Sequence, residues 1–303
     1  MGIAGCISAL DSYSDFSKNF AGKRSQYLIT MKSIPNLSIL AVALIMFIGC
    51  KKENNTDEGK NIFKIVFQHT NGDNDIQFNK MIYTNTAGNP YEVTEFMYFI
   101  SDLRIYSNGL EVNPNAMNDI HYVDSKIPET MIWTVGNDIN GGTYDSIKFT
   151  FGLSKEKNVS YLFVNPPEVL MAWPEVIGGG YHYLMLNGFW KDTADVRNPF
   201  NFHLGKGQIY ENNSGDVSDI IGFIDNSFTV VPSGQRFTIS DGKVTTLTLK
   251  MDVNSWFDSP NIFDFNVWGG GIMRNQEAMS IACENGKDAF SYSHNEGLIE
   301  SEE

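Results

Sequence analysis

Cysteine is almost missing from this chain, and positive charge and long apolar runs are scarce as well. Only Cys6, Cys50 and Cys283 occur, and no two of them form a CxxC pair. Zinc ribbons, iron–sulfur clusters and disulfide scaffolds all need cysteines in spaced groups, so none of them is expected. Lysine and arginine number 22 against 36 acidic residues, a formal net charge of −14. Such a chain repels phosphate backbones, which argues against a nucleic-acid partner. The main apolar run, Leu37–Gly49, has 13 residues. A helix that spans a bilayer needs about 20. No GxSxG, SxxK or HExxH motif occurs. The usual marks of a hydrolytic nucleophile or a zinc protease are therefore lacking.

What is present begins with the leader. Lys32 and the run Leu37–Gly49 have the charge and length of a signal peptide starting at Met31. The run ends in Phe47-Ile48-Gly49-Cys50, which resembles the lipobox of bacterial lipoproteins, with Phe47 where leucine is usual. Small residues before Cys50 admit a cleaving peptidase, and the thiol then accepts diacylglycerol. A glycerolipid plus an N-acyl chain anchors a protein stably, unlike one chain alone. The expectation is a cell-envelope protein lipid-anchored at Cys50, in the outer membrane, facing the periplasm or the surface. Residues 1–30 read as an N-terminal extension from a start codon assigned too early, since Met31 opens a complete signal peptide. Residues 31–49 are then the signal peptide, and the polar stretch 50–60 a flexible tether.

From Asn61 onward the dominant pattern is alternation with a period of two, broken by turn residues. Phe63, Ile65 and Phe67 share one face of the first run. Val93–Tyr106 is long and aromatic, and Ser101-Asp102 suggests a bulge within it. Further runs follow at Ile120–Asp124, Thr130–Val135, Tyr144–Gly152, Tyr181–Trp190, Phe200–Leu204, Phe228–Val231 and Lys243–Val253. Hydrophobic residues make up 42% and aromatics 13%, enough for a full core. Many short strands and one helical stretch, Arg274–Phe290, predict an all-β antiparallel Greek-key sandwich with one short C-terminal helix. It should occupy 61–292, with 293–303 a polar tail.

Few residues carry chemistry by themselves. Asn71–Asp75 looks superficially like a calcium loop, but Ile76 and Ile82 stand where an EF-hand needs glycine and a bidentate glutamate. The glycine runs Gly178–Gly180 and Gly269–Gly271 read as turns. The histidines are more informative, because neutral imidazole tolerates burial and suits copper and zinc. His69 shares the inward parity of Phe63 and Ile65, and His203 sits among apolar residues in Asn201-Phe202-His203-Leu204-Gly205. His182 lies between two tyrosines and could face either way, whereas His294 falls in the polar tail. Cys283, next to Ile281 and Ala282, reads as buried and inert.

The run Thr84-Asn85-Thr86-Ala87-Gly88-Asn89-Pro90-Tyr91-Glu92-Val93-Thr94, leading into Tyr98-Phe99-Ile100-Ser101-Asp102-Leu103-Arg104, closely resembles a sequence block of the MbnP-like copper-binding family. Other blocks match in order: Phe67-Gln68-His69, Gly142–Ile147 with Phe151-Gly152-Leu153, Met171-Ala172-Trp173 with Gly180-Tyr181, Phe200–Gly205, Asp252–Phe257 and Asn285–Phe290. The resemblance spans about Ile62–Phe290 and implies an exported β-sandwich, often a lipoprotein, with a mononuclear copper site. It further implies that a partner di-haem, peroxidase-like enzyme oxidises a tryptophan to kynurenine, which joins histidine at the metal. Carried onto this chain, His69 and His203 become the expected copper ligands, Trp173 the tryptophan that would become kynurenine, and His182 a secondary ligand. Pro174–Ile177 replaces the family's second tryptophan, and Met273-Arg274-Asn275 stands where relatives carry a histidine.

The expected function is thus copper binding for acquisition, storage or trafficking. The alternative is a metal-free, surface-exposed module that holds a glycan or protein on Trp133, Trp190 and Trp268.

Overall fold

The computed structural model describes residues 59–112, 114 and 118–294. The leader, Cys50, most of the tether and all but the start of the tail lie outside the described residues. Ten principal strands follow in chain order: β1 Ile62–Asn71, β2 Pro90–Ser107, β3 Ile120–Asp124, β4 Ile132–Gly136, β5 Ser146–Phe151, β6 Leu184–Lys191, β7 Arg197–Leu204, β8 Phe228–Val230, β9 Val244–Asp252 and β10 Phe290–His294. Two helices accompany them, the single turn α1 Phe265–Trp268 and the longer α2 Gln276–Gly286.

One sheet runs β10-β9-β1, with β4 on the other edge of β1. The second runs β7-β6-β2-β5-β8, with β3 added along β2. Alternation decides which residues each sheet buries. Phe63, Ile65, Phe67 and His69 all point inward from β1. They meet Phe96, Tyr98 and Phe151 of the second sheet in a continuous aromatic layer. Each such ring taken out of water contributes roughly 1.5–3 kcal/mol, so this layer is what joins the sheets. The all-β sandwich expected from the alternation is the observed architecture.

Three features differ from the sequence-based expectation. β1 and β9 pair in parallel, from Ile62↔Val244 to Thr70↔Asp252. Alternating burial looks the same whichever way a neighbouring strand runs, so this was not readable from the pattern. The helix is shorter than Arg274–Phe290: the Asn275 side chain accepts from Ala278 N at its start, and Phe290 already belongs to β10. Finally, His294 is not in a free tail. It pairs with Leu247 and its ring lies 6.4 Å from that of Phe237.

The long strand β2 bulges where Ser101-Asp102 suggested it would. Its register with β5 slips between Ser101 and Arg104, and Asp102 takes φ 55°. Asp102 is tied there to Lys157, which also pairs with Asp119.

Candidate metal centre

The outer face of the second sheet is made by residues that alternate away from the core. Phe96↔Leu186↔Phe202 and Tyr98↔Leu184↔Leu204 form rows on the inner face. Met97↔Met185↔His203 between them, and Glu95↔Asn187↔Asn201 just beyond the Phe96 row, form rows on the outer face. His203 therefore looks outward, half-buried, from a sheet whose other side is the core.

Part of the long connection from β5 to β6 folds over this face as a small hairpin. Ala172 bridges Tyr181, Trp173 N donates to Gly180 O at 2.8 Å, and His182 N donates to Met171 O at 2.7 Å. The tip is a 3-10 turn, Glu175–Ile177, followed by three glycines with positive φ, a conformation that side chains with a Cβ strain to adopt. Asn158 fastens the stem, accepting from Tyr181 N and donating to the Tyr183 hydroxyl, both at 2.8 Å. The hairpin sets Trp173 beside His182, ring centroids 4.7 Å apart, and lays His182 edge-on against His203 at 5.1 Å.

Hydrogen bonding fixes which nitrogen of each ring is free. His182 Nδ1 lies 2.9 Å from Met171 O, and a carbonyl only accepts, so Nδ1 carries the hydrogen. Nε2 is left with a lone pair, buried and without a partner. Burial lowers the His182 pKa to about 4, so the ring is neutral. His203 Nε2 lies 2.7 Å from Asn187 Oδ1, while Asn187 Nδ2 donates to Glu95 Oε1 at 3.2 Å. Glu95 is in turn paired with Lys126. That chain orients the amide so that His203 Nε2 donates and Nδ1 keeps its lone pair. Burial, and then the neighbouring His182, lower the His203 pKa to about 3 against a smaller upward pull from Glu95.

Two neutral imidazoles thus meet, each giving one N–H to an oxygen and holding its other nitrogen free. Metal-bound histidines show this pattern, because the outer hydrogen bond sets the tautomer and raises ligand basicity. The unpaired His182 Nε2 is a buried acceptor that a cation would satisfy. Among the described residues no group of three or more His, Cys, Asp and Glu side chains converges, so the centre rests on the histidine pair.

A family model, MbnP, matches residues 60–274. The chain belongs to the MbnP family. A solved structure of MbnP from Methylosinus trichosporium is similar to it at 15% identity, with a TM-score of 0.46, covering 78% of this chain and 99% of that one. No curated protein matches the chain.

In this MbnP-family chain the structure brings together three of the four residues singled out as a metal site: Trp173, His182 and His203. It does not bring His69. That ring lies on the inner side of the sheet, 4.3 Å from the Phe96 ring, with Nε2 3.0 Å from the Tyr98 hydroxyl. Phe96 and Tyr98 belong to the rows facing away from His203, so the sheet itself stands between the two histidines. The expectation of a shared His69–His203 site gives way to His182–His203. The inward parity of His69 was right, and that parity is what removes it. His121 is stacked between Phe67 and Trp133, at 5.2 and 5.1 Å, with Nε2 on Thr130 O.

The tryptophans of the glycan-binding alternative are packed rather than displayed. Trp133 and Trp190 are 3% and 6% exposed, and Trp268 is half-buried against Phe263. Cys283 is half-buried with its thiol on Asn226 O, and burial pushes its pKa up to about 12, which keeps it inert.

Sequence reasoning missed the supporting residues Glu95, Asn187 and Gly205. Gly205, two residues past His203, is where the Trp173 ring sits: a Cβ there would fall 2.5 Å from the ring. Gly205→Ala is therefore expected to lift Trp173 off the sheet and cost about 1–3 kcal/mol. Urea unfolding followed by tryptophan fluorescence checks both effects, and an unchanged midpoint and spectrum would contradict the close fit.

Proposed function

We propose that this protein binds one copper ion between His182 and His203, on the outer face of its second sheet, and serves in copper acquisition, storage or trafficking at the cell envelope. The observation that carries the reading is the buried, unpartnered Nε2 of a His182 ring packed edge-on against a second neutral imidazole. Among the metals that imidazole suits, copper is favoured by the resemblance to the MbnP-like copper-binding family. On this reading the protein is not an enzyme, and the signal peptide and Cys50 make it a lipoprotein.

His182 and His203 would hold the ion, while the Met171 carbonyl and the Lys126–Glu95–Asn187 chain keep both rings in the donor tautomer. Trp173 is 1% exposed and gives its indole N–H to Ile177 O at 3.1 Å. As an indole it is a poor ligand. Oxidised to kynurenine by a di-haem partner enzyme, it would offer an aniline nitrogen and a ketone oxygen beside His182.

Metal content and intact mass, measured on one sample of native membrane-extracted protein, test the proposal. The expected result is about one copper per chain, with a mass showing a lipidated terminus and an oxidised tryptophan. Copper without the oxidative gain would leave the histidine pair as the site and remove the di-haem partner. No copper, even after loading, would sink the copper reading.

A further inference from the structure

The histidine pair gives two donors, and the described carboxylates and thiol do not supply a third. The geometry points to Met185 as that donor: a thioether ligand that makes the centre selective for Cu(I). The inference rests on the copper reading above and names the ligand and oxidation state it leaves open.

Met185 is directly opposite His203 in the β6–β7 ladder, and Met97 is opposite Met185 on β2. All three are half-buried on the outer face. Directly opposed residues on one face of an antiparallel pair have Cβ atoms roughly 4.5–5.5 Å apart. An unbranched thioether can then swing its sulfur toward a metal on the neighbouring imidazole. On this face the two methionines stand at a boundary, with the polar row Glu95, Asn187 and Asn201 on one side and the buried Phe99 and Tyr183 on the other. The carboxylate of that polar row, Glu95, is held by Lys126 and Asn187.

While Trp173 remains an indole, the resulting donor set is two neutral imidazoles and a thioether; a kynurenine at Trp173 would add further neutral donors, so the set has no anionic ligand in either case. Thioethers are soft donors that favour Cu(I). A set of neutral ligands in a half-buried site leaves less uncompensated charge around a monovalent ion than around a divalent one. Zn(II) and Cu(II), which favour harder or anionic ligands, gain little here.

Wild-type protein, Met185→Leu and Met97→Leu should be compared in Cu(I) and Cu(II) competition titrations, with X-ray absorption at the copper edge on the Cu(I) forms. Met185→Leu conserves volume, and Met97→Leu controls for the loss of a methionine on this face. Wild type and Met97→Leu are expected to show copper–sulfur scattering. Met185→Leu should lose it and bind Cu(I) more weakly by at least about tenfold, the lower end of what losing even an outer-shell partner costs. Cu(II) binding should change less than twofold, or about 0.4 kcal/mol. Copper bound through nitrogen alone in wild type, or Cu(I) affinity unchanged in Met185→Leu, overturns the thioether and leaves the histidine site intact. Wild-type protein that binds no copper overturns both.

Discussion

Copper bound to the wild-type protein is expected to be lost when His203 or His182 becomes alanine, and kept when His69 does. That split is the expected outcome because the sheet separates the two sets. His182→Ala or His203→Ala removes one of two imidazole donors and should weaken Cu(I) binding at least about a hundredfold, the upper end for loss of an outer-shell partner. Neither substitution opens the inter-sheet core, since both rings lie on the outer face. His69→Ala does the reverse. It leaves a cavity against Phe96 and strips the Tyr98 hydroxyl of its partner, at a cost of about 2–4 kcal/mol. Copper competition and urea unfolding on the same three variants separate the two effects. A folded His69→Ala protein that has lost its copper would move the ligand set to the core and refute the outer-face centre.

The metal-free protein should lose stability steeply below neutral pH. His69 has its pKa lowered by burial from 6.5 to about 3, and His121 to about 4. Both are neutral in the fold and take up a proton more readily once unfolded. Their contribution is complete above about pH 6.5 and is lost as pH falls toward the folded values. Each shifted pH unit is worth about 1.4 kcal/mol, so by pH 5 His69 alone costs about 2 kcal/mol. His121 is only half-buried and adds less. A small domain has roughly 5–15 kcal/mol in total, so the acid limb should be plain in urea midpoints taken between pH 7 and pH 5. A flat profile there would mean that the buried imidazoles find a charged partner on acidification. His69→Phe should flatten the limb relative to wild type, even if it lowers the plateau.

Much of the fold was legible because alternation reports burial directly. Phe63, Ile65, Phe67 and His69 were assigned to one inward face, and Ser101-Asp102 to a bulge, from side-chain order alone. Alternation has no information about the neighbouring strand, and there the reading stopped. The parity of His69 is legible in its own strand, yet whether His203 shares that face depends on the register Met97↔Met185↔His203. For the same reason Met185 and Asn187 passed unnoticed: nothing in their local sequence says that they stand beside His203. His182 was uncertain because it precedes β6, where the hairpin rather than the sheet sets its direction. The helix was placed correctly but drawn too long, since the Asn275 cap and the start of β10 compete for its ends.

The parallel pairing of β1 with β9 has a consequence for how the chain is made. The first strand to leave the ribosome finds that neighbour only when Val244–Asp252 has been synthesised. At about 5–20 residues per second that wait is on the order of 10–40 s. During it Phe63, Ile65 and Phe67 have nothing permanent on that edge, and long-range pairings of this kind form slowly in any case. The β1–β9 edge therefore stays unpaired while β1's other edge already has β4, so the first sheet closes from one side and is completed only by one of the last strands to be made.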